Sequence, residues 1–294
     1  MRTGFSLGLK YMAASAFYFS VVSLLVKAAG QRLPAQEIVL ARSAIVLLIC
    51  TVLMRRRGLS FRGNRKGLLI LRGILGFISL CAFYYAVIHL PLAEATVIQY
   101  TNPVFTALLA ALTIGESLRL RQVGLTLLSL VGVLLVARPS ALFGGSATPL
   151  DPVGVGAALV CAVFSAGAYV TVRRLGRTED HLLIVFYFAV VATIGSLPMV
   201  VPTFVMPSPV EILLLLGVGV ITHAAQVNLT KGLKLERADR ATAIRYLQII
   251  LAAIWGLLFF SEVPGVLSVA GAALIIISTF RMATERAGLE PAPS

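Results

Sequence analysis

Ala95-Thr96-Val97-Ile98-Gln99-Tyr100-Thr101-Asn102 recurs 146 residues later as Ala241-Thr242-Ala243-Ile244-Arg245-Tyr246-Leu247-Gln248. The same offset brings Glu116 onto Glu262, Gly73 onto Gly219, Lys27 onto Arg173 and Ala107 onto Ala253. Chance Ala and Ile matches are common between apolar helices. The weight therefore rests on the Ala-Thr-x-Ile-x-Tyr string, the paired glutamates and the paired cations. Self-similarity at a fixed offset marks a structural repeat, here one that takes up nearly half the chain.

Both copies lie in apolar surroundings. Of 294 residues, 59% are hydrophobic and 13% charged, about half the roughly 25% that covers a soluble domain. Lipid must therefore be part of the solvent. Apolar runs of about 18 residues or more read as membrane-spanning helices. They fall near 5–28, 36–54, 67–89, 93–114, 122–137, 153–174, 182–202, 210–232, 240–261 and 264–281, which predicts ten spans. The first run is too long for a signal-peptide core and lacks a clear cleavage site, so it is expected to stay as a helix. Cys50, Cys81 and Cys161 all lie inside such runs and form no disulfide framework.

A net charge of +13 would suit nucleic acid if it formed one basic stripe, but here it is parcelled into short loops, so no nucleic-acid partner is expected. Cytoplasmic loops carry the excess of Lys and Arg. Alternate loops hold 21 of the 25 basic residues, leaving only Lys27, Arg32, Arg42 and Arg138 in the other set. This split predicts that both termini are cytoplasmic and favours an even number of spans. Matched loops also invert their charge. The 55–66 loop has six basic residues and its counterpart near 202–211 has none. The 89–94 loop has none, whereas 231–240 carries Lys231, Lys234, Arg237 and Arg240.

The expected fold is an all-α membrane protein of ten transmembrane helices, built as two inverted five-helix repeats around a central cavity. The repeats cover about 1–138 and 150–283, with a short tail at 284–294. Secondary transporters use this plan and place their sites near the midplane between repeats.

The fourth span and its surroundings carry a family likeness. Glu94-Ala95 leads to Pro103-Val104-Phe105, then to Leu112-Thr113-Ile114-Gly115-Glu116, with Gly124 and Gly132 in the next helix. This pattern resembles the drug/metabolite transporter superfamily, in particular its EamA-type exporters. The second half departs from it, with Ile249 in place of proline and Ser261-Glu262 in place of Gly-Glu. Within the superfamily the chain is most similar to aromatic amino acid exporters of bacterial inner membranes. The resemblance implies a basket of helices one to four and six to nine, with five and ten to the side. It also implies alternating access and export of aromatic or large neutral amino acids across the inner membrane. The alternative is a broader range of neutral metabolites such as purines, threonine-like amino acids or drugs. A single copy in the lipid bilayer is the expected working unit.

Polar residues inside a span are costly and usually face the bundle or a watery cavity. Helical spacing groups them into stripes: Ala95, Gln99, Asn102 and Thr106; Ala241, Arg245, Gln248 and Ala252, extending to Trp255; and Gly219, His223, Gln226 and Thr230. The first two stripes are repeat counterparts of each other, and the third is matched by Gly73, Phe77, Leu80 and Tyr84 in the third helix. The first and sixth helices pair Ala16, Ser20, Ser23 and Lys27 with Ala162, Ala166, Tyr169 and Arg173. Convergence of these stripes on one cavity is the central expectation.

The candidate substrate-binding residues are Gln99, Tyr100, Asn102, Tyr84, His223, Gln226, Arg245, Tyr246, Gln248, Trp255 and Arg42. The amides serve either a cavity or interhelical cross-links. His223 is either a proton carrier or a neutral core residue, and Arg42 either holds a substrate carboxylate or snorkels outward. Trp255 and Tyr84 offer either recognition or packing. No Asp or Glu falls at mid-span, which argues against cationic-drug antiport and favours a neutral or zwitterionic cargo. His89, His181 and His223 are scattered, so neither an enzyme, a metal site nor a cofactor is expected.

Overall fold

The computed structural model describes residues 7–102, 105, 109, 120–137, 150–176, 178–235 and 247–287. Within them the regular structure is helical: α1 (Leu7–Ala29), α2 (Ala35–Arg56), α3 (Lys66–His89), α4 (Leu92–Gln99) and α5 (Leu120–Ala137) are followed by α6 (Pro152–Leu175), α7 (His181–Val200), α8 (Pro209–Leu235), α9 (Leu247–Phe260) and α10 (Val266–Ala287). One 3₁₀ turn, Val201–Thr203, follows α7. Six of the described helices, α1–α3 and α6–α8, are long and apolar enough to cross a membrane. Of the expected spans 93–114 and 240–261, residues 92–99 and 247–260 are described as helix.

A helix satisfies its own backbone, which lipid cannot do. The ends are fixed by local chemistry. Asp151 caps α6 by accepting from the N–H groups of Val153 and Gly154, with Pro152 in the first turn. Asp180 likewise caps α7 through Leu182 N–H. Pro34 and Pro91 precede α2 and α4 in extended conformation. The outer surface is apolar, with Ile194, Val220, Leu258 and Val266 exposed, as expected where the surrounding medium is hydrocarbon rather than water.

Eight helices close into a ring. Its order, read from contacts, is α1, α8, α2, α7, α3, α6, α4, α9 and back to α1. Each ring helix from the first half is flanked by two from the second. α5 and α10 pair with each other and otherwise touch mainly α4, so they lie beside the ring. That pair is close: a Cβ on Gly132 would sit 2.8 Å from the Gly271 carbonyl oxygen.

Individual contacts follow the 146-residue offset. Gly73 packs on Val191 of α7, and its counterpart Gly219 packs on Ile45 of α2, the counterpart of Val191; a Cβ at either glycine would approach to 2.6 Å. The Ser79 hydroxyl donates to Cys161 O at 3.2 Å, and Ser15 donates to Ala225 O at 3.0 Å. Positions 15 and 161 correspond, as do 79 and 225, so the same pair of positions is bonded twice, with the hydroxyl on opposite members.

Gly73→Val and Gly219→Val are expected to destabilise the fold by about 1–3 kcal/mol each through overpacking. Gly156→Val, where a Cβ meets open space, is the neutral control. Thermal melting of the detergent-purified protein measures the difference.

Candidate functional site

The ring encloses a cavity of about 130 Å³, room for about ten waters at roughly 10–15 Å³ each. Its wall draws on all eight ring helices, from Ser15 and Phe19 of α1 to Gln248 of α9. The contributions come from mid-bundle and from the half nearer the α2–α3 turn: Arg72 in the second turn of α3, Tyr169 and Val172 late in α6, and Phe188 early in α7.

Two arginines dominate this wall, and both are buried, Arg42 at 4% and Arg72 at 7% exposure. Their guanidinium carbons lie 5.4 and 4.5 Å from the centroid of the same Phe188 ring. Arg42 donates through Nε to Thr222 Oγ1 at a long 3.4 Å and stands 5.9 Å from the Tyr84 ring. The Tyr84 hydroxyl lies beside Thr222 without a hydrogen bond of good geometry. Arg72 has no acceptor for Nε or Nη1. Gly76, one turn further along α3, makes room for it; a Cβ there would collide with the Arg72 guanidinium and come within 2.9 Å of Phe188. Arginine stays charged in proteins, and a buried unpaired charge costs several kcal/mol. Among the described wall residues there is no Asp or Glu to offset either cation.

Of the candidate residues, Arg42, Tyr84, Gln99, Gln226 and Gln248 line this cavity. Gln99 brings an Oε1 that has no partner. Four others are set back from the wall. Tyr100 is buried and donates its hydroxyl to Gln248 Oε1 at 2.9 Å, bridging α4 and α9. Asn102 is buried against Ser165 Oγ at 3.4 Å. His223 turns toward Cys50 of α2, with Nδ1 3.8 Å from Sγ. Trp255 donates its indole N–H to Ser20 Oγ at 3.0 Å, joining α9 to α1. Arg245 and Tyr246 lie outside the described residues, as does the side chain of Arg173.

The expected stripes meet the cavity only in part: Ala16, Leu80, Tyr84, Gln99, Tyr169, Gln226, Thr230 and Gln248 line it, while in α1, α3, α6 and α8 the wall also takes in the residues one position before stripe members. The wall uses 15, 16, 19 and 22 in α1, 72, 76, 79, 80, 83 and 84 in α3, 165, 168, 169 and 172 in α6, and 222, 226, 229 and 230 in α8. Small residues cause the offset. Gly73 and Gly219 matched across the repeat because they admit a neighbouring helix, not because they face the cavity. Arg72 was counted with the loop charges that set orientation, although it is a buried wall residue. Gly76, at i+4 from Arg72, was the available signal for an arginine folded back along its own helix.

At the other end of the bundle, polar contacts tie the turns together. Lys27 of α1 pairs with Glu262 at 2.6 Å and donates to Leu90 O at 2.5 Å, while Glu262 Oε2 accepts from Leu92 N–H at 2.9 Å. Glu262 follows Ser261, whose φ of +55° is the left-handed value that points the carboxylate back over the bundle. Arg32 pairs with Glu211, and Glu37 accepts from Val205 N–H at 3.1 Å, so the α1–α2 and α7–α8 turns are joined as well.

A closed ring of apolar helices around a cavity that holds buried polar and charged side chains is the form of a multi-pass membrane transporter. Two segments, residues 6–138 and 152–284, match the EamA-like transporter family, and the chain belongs to that family. It is 37% identical to the pseudopaline exporter CntI of Pseudomonas aeruginosa over 96% of this chain and 97% of that one. Solute carrier family 35 member G1 of Homo sapiens is 32% identical over 92% of this chain and 77% of its own length. The S-adenosylmethionine uptake transporter of Rickettsia prowazekii is 26% identical over 92% and 90%. One crystal structure aligns with a TM-score of 0.67 at 21% identity, over 97% of this chain and 99% of that one, which shows a shared fold.

Removing one member of a buried ion pair leaves the other uncompensated and costs about 3–5 kcal/mol, whereas removing both costs less. Lys27→Met and Glu262→Gln are each expected to lower the melting temperature, and the double variant to recover part of the loss. A double-mutant cycle in detergent is the measurement, and strict additivity would argue against the pairing.

Proposed function

We propose that the chain exports small organic anions, carrying carboxylate-bearing metabolites out of the cytoplasm by alternating access between two inverted five-helix halves. The observation that carries this reading is the pair of buried guanidiniums in a wall without a described counter-charge. An anionic cargo would bring the counter-charge that the described wall residues do not supply.

The halves are taken as repeats of about 1–138 and 150–283, a reading supported by the contacts that follow the 146-residue offset. Their opposite orientation is supported by the inverted loop charges. Placement in a bacterial inner membrane, with both termini cytoplasmic, is supported by the gathering of 21 of 25 basic residues in one set of loops. In that orientation the described cavity wall lies toward the cytoplasmic half and the Lys27–Glu262 pair toward the outer side. A single chain as the working unit is supported by the described wall, which draws on all eight ring helices of one copy.

Export of aromatic or large neutral amino acids, as by the exporter YddG, is the second reading. The aromatic wall residues Phe83, Tyr84, Tyr169 and Phe188 favour it. Charge weighs against it. A zwitterion brings one carboxylate for two guanidiniums, and its ammonium meets no carboxylate among the described wall residues. One relative is named as an exporter of pseudopaline and another as an uptake transporter of S-adenosylmethionine.

Phenylalanine and N-acetylphenylalanine share a side chain and differ in net charge, so they separate the two readings. In proteoliposomes, labelled N-acetylphenylalanine is expected to move saturably and faster than phenylalanine. The double variant Arg42→Gln with Arg72→Gln, which leaves no fork in the wall, is expected to reduce that flux by about tenfold or more, since a charge-assisted bond contributes about 1.5–3 kcal/mol. Equal or faster saturable flux of phenylalanine would restore the amino acid reading.

A further inference from the structure

The Proposed function asks only for an anion, but the geometry around Phe188 says more about its shape. We infer that the natural cargo is a dicarboxylate, with one carboxylate for Arg42, one for Arg72, and an apolar segment laid over the Phe188 ring between them. This rests on the anionic-cargo reading and narrows it.

Three observations support the two-point site. First, neither guanidinium has spent its donors. Arginine offers five N–H groups in a fixed fork matched to a carboxylate. Arg72 leaves Nε and Nη1 without an acceptor, and Arg42 makes one long bond to a threonine hydroxyl. Second, the two cations share one ring, at 5.4 and 4.5 Å from its centroid, so an apolar surface lies against both. Both guanidiniums lie close enough to that one ring for a single short dicarboxylate to reach them together. Third, the position of Arg72 is built. Gly76 provides the space the guanidinium occupies, and any side chain there would displace it.

Charge balance points the same way. A monocarboxylate bound at one fork leaves a second permanent cation buried and unpaired, at a cost of several kcal/mol. A dianion neutralises both in a single binding event and removes their mutual repulsion. Hydroxyls of Ser79, Ser165, Thr222 and Thr230 in the same wall can take up polar substituents along the linking chain.

The test is a homologous series. Wild-type protein in nanodiscs is titrated with straight-chain dicarboxylates from malonate to pimelate and with monocarboxylates of equal carbon number, following binding by calorimetry. One dicarboxylate is expected to bind at least about tenfold more tightly than its monocarboxylate match, with an optimum in chain length. Arg72→Gln and Gly76→Ala are each expected to bring that ratio close to one. Monocarboxylate affinity should change by less than about threefold, because Arg42 still offers a fork. A ratio near one at every length in the wild type overturns the dicarboxylate inference and leaves the anion reading standing. No binding of either class, by protein that still melts cooperatively, overturns the anion reading itself.

Discussion

Each ring helix of one half is held between two helices of the other, and the transport path depends on that interleaving. Neither half forms a closed wall alone. α1 and α2 meet through α8, and α2 and α3 through α7. In hydrocarbon there is no hydrophobic force to push helices together, so close packing and interhelical hydrogen bonds must do it. Gly73 and Gly219 give close approach, and Ser15 and Ser79 give hydroxyl-to-carbonyl bonds. These contacts join opposite halves, so a movement of one half against the other acts on every wall of the cavity together.

Inside this frame the polar chemistry is divided by depth. At the α1–α2 end the charges are paired: Lys27 with Glu262, and Arg32 with Glu211. Deeper in, Arg42 and Arg72 keep their charge against an aromatic ring with no described acid in the wall. Paired charges close a surface because their field cancels locally. Unpaired ones hold a positive potential in a medium that screens it poorly, and a cavity that does so is prepared for an anion.

The architecture was readable in advance because it is written in periodic features. Apolar runs have a length set by the bilayer, and loop charges alternate. Both survive without knowledge of any contact, so the positions of ten helices follow from them. The cavity was harder to read. A difference of one residue turns a helix face by 100°, and both small and polar residues produce stripes. Matching Gly73 to Gly219 therefore found a packing seam next to the cavity face. Trp255 stands out in the sequence as an aromatic face and His223, Tyr100 and Asn102 as polar residues within a span, yet their polar atoms meet Ser20, Cys50, Gln248 and Ser165. Arg72 was missed because an arginine near a helix start looks like a topological signal. Only its fit above Gly76 and against Phe188 distinguishes it.

Arg42 and Phe188 occupy corresponding positions in the two halves and touch each other. Any residue near a two-fold axis meets its own copy. Two identical subunits would have to place arginine against arginine there, with like charges face to face, or phenylalanine against phenylalanine, with no charge at all. Once both copies lie in one chain they are free to differ, and each can take the half of the task that the other cannot. The joining of the halves is thus what allows a repeated scaffold to set two unlike side chains against each other at matched positions.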